Sequence, residues 1–162
     1  MKERLSDEKL SKDLKAIYKK TKLYNYHRIF RKINTKEEDS LTALEILCLD
    51  LLQGMDSPTQ TEFARYINVS KPNATYKLNA LEQKGYIKKV PSKSDGRIFH
   101  VEVTEKTREL LSTGERYIDL MAKRLRRKFS KEDLEVYEKI MATIANEFMV
   151  EMDRYLVSVY KL

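Results

Sequence analysis

The stretch Ser57 to Thr104, SPTQTEFARYINVSKPNATYKLNALEQKGYIKKVPSKSDGRIFHVEVT, constrains this chain more than any other feature. It reads as two short helices joined by a tight turn and followed by a basic β-hairpin. Thr59-Gln60-Thr61-Glu62 has the form of a capping box, in which the Thr and Glu side chains satisfy each other's orphan backbone donors. Phe63, Ala64 and Ile67 give the first helix an apolar face. Asn68-Val69-Ser70 then makes a turn, Ser70 is a good N-cap, and Pro72 falls where a missing N–H costs nothing. The second helix is predicted from Lys71 to Lys84, with Gly85 free to take the left-handed conformation at its end.

The faces of that second helix point to a use. At 100° per residue Ala74, Leu78 and Leu81 share one narrow stripe, and Pro72, Tyr76, Asn79 and Gln83 lie opposite. Asn and Gln carry a donor and an acceptor side by side, which suits a base edge in a DNA major groove, while Lys71 and Lys77 flank the polar stripe where phosphates would run. Tyr86 to Pro91 and Ile98 to Val103 are β-rich runs around the charged turn Ser92-Lys93-Ser94-Asp95-Gly96-Arg97. From Lys71 to His100 there are seven Lys or Arg against two acids, a net +5 of the chain's +7. Positive charge therefore gathers where such a module would dock. These features predict a winged helix-turn-helix, whose second helix enters the major groove.

Across Leu41 to Leu111 the residues resemble the MarR family of transcriptional regulators. Its wing motif, Asp-x-Arg followed by a hydrophobic residue and Thr, is met by Asp95-Gly96-Arg97 and Val103-Thr104, and its Leu-Glu-x-Lys-Gly by Leu81-Glu82-Gln83-Lys84-Gly85. The resemblance implies that Arg97 reaches into the minor groove while Asp95 holds its guanidinium. It also implies a homodimer, most often a repressor, and release by a small ligand. Pro72, Asn73, Tyr76 and Ala80 depart from the Ser, Thr, Arg and Arg more usual in the family, and Thr107 replaces a Gly, which bears on the operator sequence.

The rest of the chain reads as helix. Its 162 residues, 41% hydrophobic, allow one mostly α domain with a small hairpin wing. A first helix is expected from Asp7 to Ile33, capped by Ser6, with Leu10, Leu14, Ile17, Thr21 and Tyr24 at helical spacing. Ser40 is the expected cap of an apolar hub helix from Leu41 to Gln53, ending at Gly54. Thr104 should cap a helix from Glu105 to Lys128, with Leu110, Leu111, Tyr117, Ile118, Met121 and Leu125 on its apolar side and a bend or close crossing at Gly114. A last helix starts near Ser130 and is expected to run unbroken to Tyr160, carrying Leu134, Tyr137, Met141, Ile144, Phe148, Met152, Tyr155 and Val159 at near-heptad spacing. A helix that long, roughly 45 Å, outreaches a small domain, so its stripe wants a partner. Residues 1–39 and 105–162 are thus expected to form a dimerisation region and 40–104 the DNA-binding region; an intramolecular hairpin of the last two helices is the alternative.

No run of 18 apolar residues and no signal-like N-terminus is present, which predicts a cytoplasmic protein without a membrane span. One cysteine, Cys48, excludes an internal disulfide, and its apolar neighbours argue against a sensing thiol. His27 and His100 are too far apart in sequence to suggest a metal cluster, and His100 is expected to face solvent or phosphate. No phosphate loop, nucleophile elbow or paired-carboxylate pattern supports an enzyme, and no cofactor is expected. The residues expected at DNA are Asn73, Thr75, Tyr76, Asn79 and Gln83 near bases, Pro72 on the same stripe, Ser70, Lys71 and Lys77 at phosphates, and Lys93, Asp95 and Arg97 in the wing. A winged helix serving only as a protein-interaction scaffold is the rival reading, and salt-dependent duplex binding separates the two.

Overall fold

The computed structural model describes residues 7–33, 41–93 and 95–160, apart from the side chain of Thr113. Helix α1 spans Asp7–Ile33, α2 Ala43–Gly54, α3 Gln60–Tyr66 and α4 Lys71–Gln83. Strands β1 (Ile87–Pro91) and β2 (Phe99–Val103) follow, then α5 (Glu105–Lys128), α6 (Lys131–Thr143), a π-helical segment over Ile144–Phe148, and α7 (Val150–Tyr160). No helix among the described residues is long and apolar enough to cross a membrane. The fold is mostly α with one hairpin, as the sequence predicts.

The head forms where its local signals place it. Thr59 caps α3 with both bonds of the capping box, Thr59 N–H to Glu62 Oε2 at 2.6 Å and Glu62 N–H to Thr59 Oγ1 at 3.2 Å. Asn68 takes the tight turn at φ 52°, and Gly85 leaves α4 at φ 74°, a conformation that a Cβ disfavours. β1 and β2 pair antiparallel, with Val90 opposite His100 and Lys89 opposite Val101. The segment before α3 joins them: Val101 N–H donates to Pro58 O at 2.8 Å. His100 is therefore half-buried with its Nδ1 2.9 Å from Ser57 O, holding the hairpin to α3's entry instead of facing solvent.

Phe63, Leu49, Ala74, Leu78 and Leu81 are fully buried and form the head's centre with Tyr86, Ile87 and Val101. At about 25 cal/mol per Å² of apolar surface, each large side chain closed off this way contributes on the order of 1.5–3 kcal/mol. Thr107 is also fully buried, and its hydroxyl donates to Tyr86 O at 2.5 Å, so it pins α5 to the start of the hairpin.

Three further expectations change. The cap of α2 is Thr42, whose side chain and Glu45 form a second capping box; Ser40 and Ser6 lie outside the described residues. Helix α2 is a hub on one side only, with Ile46, Cys48, Leu49 and Leu52 buried but Leu44 and Leu47 exposed. The last helix is not continuous: a wide turn at Ile144–Phe148 separates α6 from α7. Beyond it α7 packs against α3, with Val159 buried, Arg65 Nη1 donating to Val159 O, and Tyr155 edge-on to Tyr66 at 5.5 Å. Gly114 does not break α5; a Cβ there would come within 2.9 Å of Asn25 Oδ1, so it marks a close crossing with α1.

Candidate nucleic-acid interface

Helix α4 is laid on the head by its apolar stripe, and this fixes what it presents outward. With Ala74, Leu78 and Leu81 at 0% exposure, Lys71, Pro72, Asn73, Tyr76, Asn79 and Gln83 are all exposed, Tyr76 at 77%. Two expected contacts are partly spoken for within the helix. Ser70 Oγ accepts from Asn73 N–H at 3.4 Å as the N-cap, and the Thr75 hydroxyl donates to Lys71 O at 2.9 Å, leaving Thr75 only acceptor lone pairs to offer.

The charges sort themselves. Of the seven cations between Lys71 and His100, Lys84, Lys88 and Lys89 are paired with Glu45, Glu102 and Glu82 at 2.7, 2.8 and 2.7 Å. Lys71, Lys77, Lys93 and Arg97 have no carboxylate partner among the described residues. They are the same four cations that the sequence places at DNA. Lys71 and Arg97 also line one groove of about 260 Å³ between the start of α3 and the wing, with Thr59, Gln60 and Phe99 on its walls. Arg65 and the capping Glu62 line it too, and three cations against one acid on an open groove suit a passing phosphate backbone.

Asp95 acts differently from what the family resemblance implies. Its Oδ1 accepts from the backbone N–H of Arg97 at 2.9 Å, and Ile98 N–H donates to Asp95 O at 2.9 Å, so the carboxylate fixes the turn and not the guanidinium. Arg97 is left exposed and free to reach outward. Lys77, half-buried, lies near enough to Cys48 for its charge to favour the thiolate, yet burial dominates and pushes the Cys48 thiol up. The direction matches the buried, apolar setting of its sequence neighbours, while α4 brings near it a cation, Lys77, that those neighbours do not show.

Sequence reasoning missed the group behind the polar stripe. Lys89 Nζ, from β1, lies 2.5 Å from Asn79 Oδ1 and 2.7 Å from Glu82 Oε2. The spacing of Asn79 and Glu82, three apart on one helix face, was visible; their meeting with Lys89 depends on how the hairpin folds back.

Comparisons with known proteins agree with this geometry. Residues 41–99 match the model of the MarR family. Streptococcus pneumoniae FabT, solved in complex with DNA, is similar in fold at 20% identity and TM-score 0.58, over 91% of this chain and 99% of that one. The transcriptional regulator Tm0710 of Thermotoga maritima is similar at 17% identity and TM-score 0.61, over 88% and 98%. A variant of S. aureus MepR bound to an oligodeoxyribonucleotide is similar at 18% identity and TM-score 0.51, over 90% and 100%. The head of this chain, α2 through the hairpin, has the winged helix-turn-helix fold of these structures and carries the match to the MarR-family model over residues 41–99.

Proposed function

We propose that the protein is a homodimeric, sequence-specific DNA-binding transcriptional regulator, acting as a repressor at a two-fold site. The observation that carries this reading is the outward stripe of α4 flanked by four cations without carboxylate partners among the described residues, two of which share a groove with the wing. Asn73, Tyr76, Asn79 and Gln83 face bases, Ser70, Lys71 and Lys77 lie toward phosphates, and Lys93 and Arg97 extend the contact from the wing. Pro72, Thr75 and Asp95 shape the surface.

Dimerisation is supported by what the helical ends leave uncovered: Leu14, Ile17 and Leu23 of α1, Ile118 of α5, Ile140 of α6 and Phe148 stand between 52% and 68% exposed. Exposed apolar side chains in this number favour an interface, and a second copy supplies the same residues by symmetry. Residues 1–39 and 105–162 are the proposed dimerisation region and 40–104 the DNA-binding region. An effector would be held where α1, α2 and α5 meet, in a cleft of about 290 Å³. There Asn25 Oδ1 and Gln53 Oε1 are buried without a hydrogen-bond partner, and Asp50 and Glu115 lie beside them. Lys22 lines the same cleft and Gln53 Nε2 already donates to Glu115 Oε1 at 3.1 Å, so the two orphan acceptors are what a ligand's N–H donors would satisfy.

Selecting duplexes from a random pool tests the function directly. The expected product is a pseudo-palindrome with half-sites about 34–36 Å apart, bound with an affinity that falls steeply as salt rises. Enrichment of no sequence, with binding indifferent to salt, would leave the scaffold reading in its place.

A further inference from the structure

Asn79 stands on the exposed side of α4, but its carboxamide is not free to turn. Lys89 Nζ donates to Asn79 Oδ1 at 2.5 Å and to Glu82 Oε2 at 2.7 Å. The Lys89 backbone N–H also reaches Glu82 Oε1 at 3.3 Å, so the carboxylate grips the residue twice. With its side chain only 16% exposed, Lys89 is tucked between the hairpin and α4 and is poorly placed to reach a phosphate itself. An ammonium has three donors and no acceptor, so it admits only the oxygen of the amide. Flipping Asn79 would set –NH₂ against –NH₃⁺. The group that Asn79 can offer elsewhere is therefore its Nδ2.

An unconstrained asparagine reads adenine with two bonds, donating to N7 and accepting from N6. The second bond needs an Oδ1 that the amino hydrogens of adenine can approach. Here they would approach an oxygen already held by a positive charge. Guanine presents N7 and O6, acceptors both, and asks only for donors. We propose, on the basis of the DNA-binding reading above, that Lys89 is a positioning residue which takes one lone pair of Asn79 Oδ1, orients Nδ2 outward and turns the preference of Asn79 from adenine toward the acceptor edge of guanine. Glu82 keeps Lys89 in place.

The test selects bound duplexes with the full chain as parent, Asn79→Ala, Lys89→Met, Lys89→Arg, and the double variant Glu82→Gln with Lys89→Met. Asn79→Ala identifies the base pair concerned as the one whose preference disappears. At that pair the parent should favour guanine, Lys89→Met should shift the ratio toward adenine by about tenfold, and Lys89→Arg should keep the parent's choice. The double variant removes the carboxylate that Lys89→Met strands, and it should show the same shift with a melting temperature near the parent's. The salt slope of Lys89→Met should match the parent's, because no phosphate contact has been lost. Three results overturn the proposal while leaving DNA binding intact: adenine chosen by the parent at that pair, an unchanged preference in Lys89→Met, or equal weakening on all duplexes with a slope lower by about one unit per protomer. A parent that enriches no duplex removes the DNA-binding reading and this proposal together.

Discussion

The head and the helical ends both carry regularly spaced apolar residues, and they differ in what those residues meet. In the head, Phe63, Leu49, Leu78 and Leu81 are at 0% exposure, closed off by α2, α3, α4 and the hairpin. In the ends, Ile17 is 64% and Phe148 68% exposed, although they too stand at helical spacing from their apolar neighbours. A short helix on a compact sheet can finish its burial within one chain. A helix of 27 residues such as α1 reaches beyond what the described residues of its own chain cover, and of its side chains only Ile29 and Ile33, in its last turns, are buried. Periodicity tells which face is apolar; length relative to the domain tells whether the partner lies inside the chain.

The largest effect that separates the two regions is a deletion of side chain. Phe63→Ala should cost about 3–5 kcal/mol, because the removed ring leaves a cavity at the centre of the head. Phe148→Ala should leave the melting of a dilute monomer within about 0.5 kcal/mol, yet weaken self-association in sedimentation. Equal losses from both, at a concentration where no dimer forms, would break the distinction drawn here.

The head's surface comes next. Arg97→Ala should weaken specific duplex binding by about 1–3 kcal/mol while leaving thermal melting unchanged, since the side chain is exposed and holds no carboxylate. The result to watch for is unchanged affinity at every salt concentration, which would take the wing out of the contact. Asp95→Ala should act differently, by loosening the turn whose backbone it holds.

A smaller effect joins the head's elements to one another. Lys84 at the end of α4 bonds Glu45 at 2.7 Å, with the two side chains 32% and 16% exposed. Burial alone would raise the Glu45 carboxyl, but the bonds from Lys84 and Thr42 outweigh it and hold the group below the usual glutamate range. A depressed folded value means stability that is present above the unfolded value and lost as pH falls through the folded one. Lys84→Met should therefore cost about 1–2 kcal/mol near neutrality and flatten the loss of stability on acidification below the ordinary glutamate range. An acid profile identical to the parent's would assign the stabilisation elsewhere.

Much of the head was legible because its signals are local. The capping box at Thr59, the cap at Ser70, the apolar stripe of α4 and the turn-forming Gly85 each depend on residues within one or two turns. Thr42 was equally legible, as Thr-x-x-Glu repeats the pattern found at Thr59, and it was masked by the Ser two residues earlier. The break in the last helix has a quieter signal. Its stripe steps by three and four until Ile144, Phe148 and Met152, where two fours follow in succession. A run of fours drifts off a 3.5-residue seam, and the wide turn at Ile144–Phe148 absorbs the extra residue. The grip of Lys89 on Asn79 and the bond from His100 to Ser57 join residues from different elements, 10 and 43 positions apart, which no local pattern announces.

The smallest effect tests a place where the ends touch the head. Helix α7 lies on α3 through Val159, the ring pair of Tyr66 and Tyr155, and the Tyr155 hydroxyl, 3.3 Å from Tyr66 O. That last bond is long and its donor is 46% exposed, so it contributes at the low end for a hydrogen bond, about 0.5 kcal/mol. Tyr155→Phe keeps the ring and removes only this bond. If α7 opens from α3 as a local unit, hydrogen exchange across Val150–Tyr160 should speed up about twofold, with Leu134 to Met141 unchanged, since those residues lie before the wide turn. Tyr155→Ala, which also loses the ring contact, should increase exchange further in the same segment. Exchange that rises equally through α6 and α7 would show one cooperative rod despite the π segment, and exchange that does not change would show that the docking rests on Val159 and Arg65 alone. Only in the first case does the C-terminal helix transmit to α3 a force that begins at the far end of α6; with a hinge at Ile144–Phe148, α3 responds to what happens within the last eleven residues of helix.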